Sequence, residues 1–365
     1  MAQPAPADLS ALRVQIDRVD RDLLALLNHR AGLALQVGEL KKREGSVAFR
    51  PEREAQVIDG LKRDNPGPLS TQSVAPIWRE IMSACRALET PTRVAYLGPA
   101  GTFSELAALG FFGSSIVRLP CPSIDEVFRA TTAGAADFGV VPVENSTEGV
   151  IARSLDLFLS HPLVILGETS LAVQHNLLRR DASLEGIAAV CAHPQALAQC
   201  HAWLNERLPG IERRPVASNA EGARLASLDG TLAAIASLHA AGEYGLHVVA
   251  QAVQDDPHNR TRFAIVTHPQ RHPQPGASGH DCTSLVVSVP NRPGAVHDIL
   301  VPLKLHGVSM SRFESRPARS GQWEYYFYID LQGHPDQPQV SAALTELREV
   351  CAFFKVLGTY PIDAH

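Results

Sequence analysis

The sequence lacks the features by which membrane proteins and nucleic-acid-binding proteins are recognised. No apolar run reaches the roughly 18 residues that a membrane-spanning helix needs, and the first residues lack the basic and apolar stretches of a signal peptide. Positive charge is not in excess either, since 33 Lys and Arg residues stand against 38 Asp and Glu residues and the net charge is -5. We therefore expect neither a membrane nor a nucleic acid as a partner.

The chain also lacks a disulfide pattern and internal repeats. Its six cysteines include no C-x-x-C pair, which is typical of the reduced, mostly buried thiols of a cytoplasmic protein. Apolar residues are plentiful, at 45% of the sequence against 19% charged residues. A chain of 365 residues with this composition is long enough for two or three globular domains.

The N-terminal segment carries apolar residues at alternating spacings of three and four, which predicts one long helix packed in the manner of a coiled coil. One position of this seam is charged, because Arg30 stands where an apolar residue is due. At ~100° per residue Lys41 lies about 20° from Arg30 around the helix, whereas Arg13 lies about 100° away. Arg30 is therefore one half of a structural ion pair, a side chain that extends out to solvent, or part of an anion site. The seam is formed by Leu9, Leu12, Ile16, Val19, Leu23, Leu26, Leu33, Val37 and Leu40.

Two further helices are predicted, one from Arg50-Pro51 to just before Asn65 and one from about Thr71 to Leu88. With them, the segment resembles the all-helical chorismate mutase domain. The residues that carry this resemblance are Leu12-Arg13, Arg30, Val37-Gly38, Lys41, Arg53-Glu54, Cys85 and Glu89.

The resemblance implies a dimer of three-helix chains in which Arg13 reaches the site of the partner chain. It also implies catalytic roles for Arg13, Arg30, Lys41, Arg53, Glu54, Cys85 and Glu89. Chorismate is a dicarboxylate that rearranges without a nucleophile, so the site must clamp its reactive conformer and stabilise charge on the ether oxygen. Arg13 and Arg30 would bind carboxylates, Lys41 the ether oxygen and a carboxylate, and Glu54 a hydroxyl. Two residues depart from the family pattern: Arg50 is expected to contact substrate although an Asp is often found there, and Glu89 stands where a Gln can be found.

The middle of the chain begins with a short strand, Arg93 to Leu97, followed by a glycine loop and Thr102-Phe103-Ser104-Glu105. The Thr-x-x-Glu spacing predicts a capping box at the start of a helix, where an anion can bind. A plain strand-to-helix turn explains the same motif equally well. Alternating strands and helices further along predict an α/β domain with a mostly parallel sheet.

Two polar segments adjoin buried strands in this part of the chain. Glu144, Asn145 and Ser146 follow the apolar strand 138–143 at its carboxyl end, where open α/β sheets bind ligands. The loop 255–263 runs into the apolar residues 264–266 and offers an amide, a hydroxyl and a guanidinium. A hairpin with an Asn turn and a surface Arg is the alternative interpretation of this loop.

Residues 92–268 resemble prephenate dehydratases, whose fold of two α/β lobes with a cleft between them is similar to the periplasmic binding proteins. The resemblance rests on residues 98–104, on Val140 to Ser146, on His193-Pro194-Gln195 and on Asn259 to Phe263. The sequence departs from the family pattern at Ala192, because a Ser is common at this position in the family. The implied catalytic residue is Thr261, as a hydrogen-bond donor to the leaving hydroxyl, and Arg262 would hold a substrate carboxylate. The other implied binding residues are Thr102, Ser104, Glu144, Asn145, Ser146, Asn259 and Phe263.

A linker at 269–281 leads to residues 282–363, where strands and helices follow in the order βαββαβ. This α+β, ferredoxin-like pattern resembles the ACT domain, which binds amino acids. Its segments 291–296 (the first motif) and 314–317 (the second motif) match two motifs that bind phenylalanine in ACT domains attached to prephenate dehydratases. Each segment could instead be a turn with a charged rim. The implied regulatory residues are Asn291, Pro293, Gly294, Ala295, Val296, Glu314, Ser315, Arg316 and Pro317.

Taken together, the sequence predicts a chorismate mutase domain at 1–90, a prephenate dehydratase domain at 92–268 and an ACT domain at 282–363. We expect a cytoplasmic homo-oligomer, at least a dimer, that needs no metal and no cofactor. It would convert chorismate to prephenate and prephenate to phenylpyruvate, with phenylalanine as inhibitor. Two alternatives are a dehydratase that prefers arogenate and a non-catalytic amino-acid sensor.

Overall fold

A computed structural model of the protein describes residues 8–44, 49–272, 274–290, 292–318 and 325–362. These residues form a helical domain, a two-lobed α/β domain and an α+β domain, in that order along the chain. Among the described helices none is long and apolar enough to cross a membrane.

The described residues of the helical domain form three α-helices, and the sequence determines where they begin. Pro51 occupies the first turn of the second helix, and the side chain of Ser70 accepts a hydrogen bond from the backbone N–H of Ser73 at the start of the third. The first helix packs along the third. The helices are α1 (Leu9–Glu44), α2 (Pro51–Asp64) and α3 (Thr71–Glu89).

Most of α1 is uncovered in a single chain. Gly38 is the one buried residue of this helix, and α1 contributes half of the exposed large apolar side chains of the described residues. Leu26 and Val19, both in the apolar seam, are 66% and 63% exposed. Such a stripe is stable in water when another apolar surface covers it.

The first lobe of the middle domain is built on a sheet of strand order β2-β1-β3-β11-β5, with β4 paired to β3. Helices α4, α5 and α6 pack against this sheet. The elements are β1 (Arg93–Leu97), α4 (Phe103–Phe112), β2 (Val117–Cys121), α5 (Ile124–Ala133), β3 (Phe138–Asn145), β4 (Gly149–Val150), α6 (Ala152–Ser160), β5 (Val164–Ala172) and β11 (Arg260–Thr267).

The second lobe has its own five-stranded sheet, in the order β10-β6-β9-β7-β8. The chain enters this lobe after β5 and returns to the first lobe through β11, so these two paired strands connect the lobes. The elements are β6 (Asn176–Arg179), β7 (Ala189–Ala192), α7 (Pro194–Gln199), α8 (His201–Arg207), β8 (Glu212–Pro215), α9 (Asn219–Leu228), β9 (Leu232–Ala236), α10 (Leu238–Tyr244) and β10 (His247–Ala250).

The expectation of a mostly parallel sheet is wrong. In the first lobe β1 pairs in parallel with β2 and β3, but β11 runs antiparallel to both of its neighbours. In the second lobe β6 is antiparallel to β9 and β10. The reason lies in the connections, because a strand that returns from the other lobe enters the sheet from the opposite end.

The C-terminal domain has a four-stranded antiparallel sheet in the order β13-β14-β12-β15. One face carries the two helices, and the other lies on the first lobe, where residues of both domains form one apolar core. The approach is close: a Cβ added at Gly358 would lie 2.0 Å from the carbonyl oxygen of Ile165 in β5. The elements are β12 (Asp281–Ser288), α11 (Ala295–Leu305), β13 (Met310–Pro317), β14 (Tyr325–Gln332), α12 (Pro338–Val350) and β15 (Phe353–Pro361).

Candidate active sites

A cavity of about 410 Å³ opens between the two lobes of the α/β domain. It gathers predicted binding residues from both ends of the dehydratase match, along with further polar residues of the second lobe, of which His193 and Gln195 belong to a matched motif. The predicted residues that line it are Thr102, Ser104, Asn145, Asn259, Thr261 and Phe263, and the others include His175, His193, Gln195, Gln199 and Asn219.

Thr261 is held by a side-chain amide on the adjacent strand. Asn145, opposite Thr261 in the pairing of β3 with β11, places its Nδ2 2.8 Å from the Thr261 hydroxyl oxygen. The Oδ1 of Asn145 accepts hydrogen bonds from the backbone N–H groups of Thr147 and Glu148, at 3.0 and 3.1 Å. These bonds leave Nδ2 as the group that faces Thr261, so the hydroxyl oxygen accepts and its own proton is free to be donated.

The same amide network continues into the second lobe. Asn145 Nδ2 also donates to Asn259 Oδ1 at 2.8 Å, and Asn259 Nδ2 donates to Gln199 Oε1 at 3.1 Å. Gln199 Oε1 lies 3.0 Å from Nε2 of His175. Asn259 and His175 are each only 2% exposed. Burial lowers the pKa of His175 and outweighs the hydrogen bond to Gln199, which raises it.

The N-terminus of α4 forms another wall of the cavity. Thr102 caps the helix as predicted, since its hydroxyl accepts from the backbone N–H of Glu105 at 3.3 Å. The second half of the predicted capping box is wrong, because the Glu105 carboxylate accepts from the backbone N–H of Gly101 at 2.6 Å instead of that of Thr102. Its further partners are Tyr96, Arg118 and, from the second lobe, His239. Burial would raise the pKa of Glu105, but the bonds from His239, Gly101 and Tyr96 lower it to about 2.

Glu105, His239 and Glu243 are close enough together to suggest a metal site among the described residues. Their charge is met by Arg118, whose Nη1 lies 2.9 Å from Glu105 and 3.9 Å from Glu243. Arg118 thus offsets part of the negative charge of the two carboxylates, and the pair of Glu105 and His239 joins the first lobe to the second.

Three predicted binding residues of the dehydratase match point away from the cavity. Alternate side chains of a strand face opposite sides, so Thr261 and Phe263 line the cavity while Arg262 faces the C-terminal domain. Its guanidinium lies 2.6 Å from Asp330 and 2.7 Å from Glu168. Burial would lower the pKa of Arg262, but these carboxylates hold it above its ordinary value.

Glu144 and Ser146 flank Asn145 on β3 and its turn, and they too lie outside the cavity lining. Glu144 pairs with Arg312 of the C-terminal domain at 3.2 Å. Ser146 is exposed, and its hydroxyl accepts from the backbone N–H of Arg260 at 2.9 Å. Glu144, Ser146 and Arg262 therefore lie outside the cavity lining and make contacts that hold β11 and the C-terminal domain.

A second constellation lies between α1 and α3 of the helical domain. Arg30 donates from Nη1 to the Cys85 sulfur at 3.0 Å. Further along α1, Gly38 makes room for Glu89, since a Cβ at Gly38 would lie 2.8 Å from the Cγ of Glu89. Lys42 donates to the backbone carbonyl of Glu89 at 3.2 Å. The structure thus brings Arg30, Cys85 and Glu89 to one groove, as the family match implies.

Glu89 is partly buried and surrounded by cations. Burial raises the pKa of its carboxyl group, and the nearby Lys41, Lys42 and Arg86 lower it. Burial is the larger effect, so the pKa lies above the usual 4.5. The sequence could not decide this direction, because it shows the cations but not the burial.

Three predicted mutase residues do not join this groove in the single chain. Arg13, Arg50 and Arg53 are exposed. Arg13 and Arg30 are separated by about 25 Å along α1, at ~1.5 Å per residue. Arg13 therefore cannot serve the same site as Arg30 of its own chain.

Glu54 is held by a residue that sequence reasoning missed. Arg86, which is 7% exposed, donates to the Glu54 carboxylate and to the backbone carbonyl of Phe112 in α4. Its guanidinium also lies over the ring of Phe49, 4.7 Å from the centroid. Arg86 thereby ties the helical domain to the first lobe. The sequence indicates the burial of Arg86 only by its position within the apolar segment 81–88.

The two motifs of the C-terminal domain lie at the same end of its sheet. Ser288 of β12, just before the first motif, pairs with Tyr326 of β14. Tyr326 in turn pairs with Arg316 of β13, which belongs to the second motif. Gly294 has a positive φ of 82° at the start of α11, which favours glycine there. Asn291 lies outside the described residues. The motif residues that are described are Pro293, Gly294, Ala295, Val296, Glu314, Ser315, Arg316 and Pro317.

Arg316 makes a contact across the domain boundary. Its Nε lies 3.3 Å from Asp156 of α6, in the first lobe. Together with Glu144–Arg312 and Arg262–Asp330, this pair makes the boundary between the two domains a line of charges around the shared apolar core.

His175 and Gln199 were missed among the candidate residues. The sequence does carry a signal for His175, because Gln174-His175-Asn176 is a polar triplet between two apolar strands. Gln199 has no such signal: it lies in a short helix of mixed composition, and only the fold brings it to Asn259.

Family models match all three domains of the chain. A model described as chorismate mutase type II matches residues 12–90, one described as prephenate dehydratase matches residues 94–271, and an ACT domain model matches residues 283–349. The three matches confirm the families to which the sequence motifs were assigned.

Individual relatives agree with the family models. The chain is 49% identical over 364 residues to the bifunctional chorismate mutase/prephenate dehydratase of Neisseria gonorrhoeae, a match that covers 99% of both chains. Among solved structures, prephenate dehydratase from Arthrobacter aurescens in complex with L-Phe is 34% identical with a TM-score of 0.68, covering 74% of this chain and 89% of that one. GqqA, described as a novel type of quorum-quenching acylase, is 29% identical with a TM-score of 0.68, covering 74% and 98%. With a relative matched from end to end, this chain belongs to the family of bifunctional chorismate mutase/prephenate dehydratases.

Proposed function

We propose that this chain converts chorismate to prephenate at the α1–α3 groove and prephenate to phenylpyruvate in the cavity between the lobes. The observation that carries the proposal is the presence of two separate constellations, Arg30 with Cys85 and Glu89 in one domain and Thr261 with Asn145 in another. Each has the chemistry that its reaction needs.

For the dehydratase reaction, the site must help a poor leaving group. Prephenate loses its ring carboxylate as carbon dioxide, the electron pair of that bond enters the ring, and the ring C–O bond breaks as the ring becomes aromatic. The departing hydroxide needs a proton, and a Thr hydroxyl whose oxygen already accepts a bond from Asn145 is oriented to donate to it. Thr102, Ser104, Asn259 and Phe263 would surround the substrate.

For the mutase reaction, the site must clamp a dianion and stabilise charge on its ether oxygen. Arg30 and Lys41 would supply the positive charge, with Cys85 and Glu89 beside them on α3. Glu54 would bind a hydroxyl of the substrate, with Arg86 fixing its orientation. Arg53 and Arg50 lie at the start of α2 and would contact substrate from there.

The uncovered face of α1 supports a homodimer as the mutase unit. In a dimer with antiparallel α1 helices, Arg13 of one chain can lie close to Arg30 of the other. Within one chain the two residues are ~25 Å apart along α1 and cannot meet. We further propose that the middle domain is two-lobed in the manner of the periplasmic binding proteins and that the C-terminal domain is ferredoxin-like and binds phenylalanine at residues 291–296 and 314–317.

A coupled assay on the purified full chain tests the proposed function. We expect it to consume chorismate and form phenylpyruvate, and we expect phenylalanine to slow the second step. Paired assays with prephenate and arogenate decide between the two dehydratase substrates. A chain that binds phenylalanine but turns over neither chorismate nor prephenate would be the non-catalytic sensor.

Glu89 predicts the pH dependence of the mutase reaction. A protonated carboxyl can donate a hydrogen bond to the ether oxygen, whereas an ionised one cannot and repels the developing charge. Because burial raises the pKa of Glu89, the donor form persists above the usual 4.5, and mutase activity should fall as the pH rises through the raised pKa. The measurement is kcat for chorismate from pH 5 to 9.

Glu89→Gln supplies a donor that does not ionise, so this variant should keep its activity at high pH and lose the alkaline decline. The dehydratase activity of the same preparation serves as the control, because Glu89 lies outside the cavity between the lobes. Superimposable mutase profiles of the two proteins would remove Glu89 from the site.

A further inference from the structure

The hydrogen bonds that surround Thr261 have a fixed direction, set by the protein backbone. Asn145 must present Nδ2 to its neighbours because its Oδ1 accepts two backbone N–H groups. Asn259 must then present Oδ1 to Asn145 and Nδ2 to Gln199. Gln199 accordingly presents Oε1 to Asn259, and its Nε2 donates to the carboxylate of Glu148 at 3.3 Å.

The series ends at a histidine whose protonation state follows from it. Gln199 Oε1 can only accept, so Nε2 of His175 must carry the proton that joins them at 3.0 Å. Burial keeps the ring neutral by lowering the pKa of His175, which leaves Nδ1 unprotonated. Nδ1 is buried with no hydrogen-bond partner among the described residues.

His175 is itself held firmly. Its backbone N–H donates to the Gln254 side chain at 2.9 Å, its carbonyl accepts from Val253 at 2.8 Å, and its ring packs edge-on against Phe103 at 5.9 Å. The ring can therefore act as a fixed point for Gln199, which lies on a short helix of the second lobe.

We propose that His175 is a positioning residue of the dehydratase site. As a neutral ring with its proton on Nε2, it holds the Gln199 amide in place. Gln199 in turn holds Asn259, the second acceptor of Asn145 Nδ2, and so keeps Asn145 at hydrogen-bonding distance from the Thr261 hydroxyl. The series also joins the lobes, since Gln199 belongs to the second and Asn145 to the first. Unlike Thr261, His175 acts through other residues and need not touch the reacting atoms. The proposal rests on the proposed dehydratase function.

Two variants that differ in one donor position test this role. The amide nitrogen of Gln reaches the place of imidazole Nε2, whereas that of Asn reaches only the place of Nδ1. His175→Gln should therefore retain most of the dehydratase kcat, and His175→Asn should lower it about tenfold with little change in KM. Mutase activity of both variants, measured in the same preparation, should equal that of the wild type. Equal dehydratase kcat values for the two variants would overturn the proposal.

A double-mutant cycle with Gln199 distinguishes a positioning role of His175 from a general loss of stability. If His175 acts through Gln199, the double variant His175→Asn with Gln199→Ala should be no slower than Gln199→Ala alone. Losses that multiply would contradict the proposed order of contacts.

The protonation of the ring can be read without any turnover. In protein labelled with nitrogen-15 histidine, signals lost in His175→Gln belong to His175, and we expect one protonated and one bare ring nitrogen with the proton on Nε2. A proton on Nδ1, or on both nitrogens, would overturn the inference. This result does not depend on activity, whereas a wild-type protein inactive on prephenate would overturn the proposed function.

Discussion

Thr261→Ala is expected to lower prephenate turnover about a thousandfold, the size of effect seen when a donor to a developing negative charge is removed. The hydroxyl oxygen of Thr261 already accepts a hydrogen bond from Asn145, and its proton remains to be donated. Mutase activity should be unchanged, because Arg30, Cys85 and Glu89 lie in another domain. The measurement is the rate of phenylpyruvate formation from prephenate, with chorismate consumption in the same sample.

Two matched variants show whether the hydroxyl itself is responsible. Thr261→Ser keeps the hydroxyl and should retain most of the activity, whereas Thr261→Val keeps the shape of the side chain and should be as slow as Thr261→Ala. Thr261 is partly exposed and its side chain makes one described hydrogen bond, so all three proteins are expected to fold. Turnover by Thr261→Val within tenfold of the wild type would exclude the hydroxyl from the chemistry.

The sequence predicted the dehydratase site best where single residues carry the chemistry. Asn145 could be found because it directly follows an apolar strand, and Asn259 and Thr261 because their polar segment runs directly into one. Arg262 and Glu144 belong to the same motifs but lie outside the cavity lining. On a strand, neighbours in sequence face opposite sides, and the sequence does not say which side the cavity occupies.

What the sequence could not predict is how the domains share residues. Arg262 reaches Asp330, 68 residues further along the chain, and Arg86 reaches the carbonyl of Phe112 in the next domain. The periodic spacing of apolar residues indicates which face of a single helix or strand is buried. It does not indicate which residues of another domain that face contacts. The C-terminal domain was therefore expected to be a separate module, although its sheet completes the apolar core of the first lobe.

This shared core bears on how phenylalanine binding would reach the dehydratase site. Arg262 lies next to Thr261 on β11, and its carboxylate partner Asp330 lies on β14, beside the strand that carries the second regulatory motif. Any shift of the C-terminal sheet on the first lobe must therefore move or break contacts made by the strand that carries Thr261. Through these contacts, phenylalanine bound at the proposed regulatory motifs would be coupled to the dehydratase site.

Arg30→Ala is expected to lower mutase activity at least a thousandfold and to leave dehydratase activity unchanged. Arg30 is the charged member of an otherwise apolar seam, and its guanidinium faces the groove beside Cys85. Removing it takes the main counter-charge from a dianionic substrate in a partly buried site. Arg30→Lys is the matched control: it keeps the charge but loses the planar fork, so its activity should lie between the two. Full mutase activity of Arg30→Ala would remove this groove as the site.

Mixing Arg30→Ala with Arg13→Ala tests whether the site is shared between chains. Each variant alone should be inactive as a mutase, since every site lacks one of the two arginines. A mixed dimer contains one site with Arg30 from one chain and Arg13 from the other, so after subunits exchange at random about a quarter of the sites should be intact. If each site used Arg13 and Arg30 of the same chain, every chain in the mixture would still lack one of the two, and no activity would return. Recovered activity that rises with time of exchange, and disappears when Leu23→Asp in both chains prevents pairing of the exposed seam, would establish the shared site.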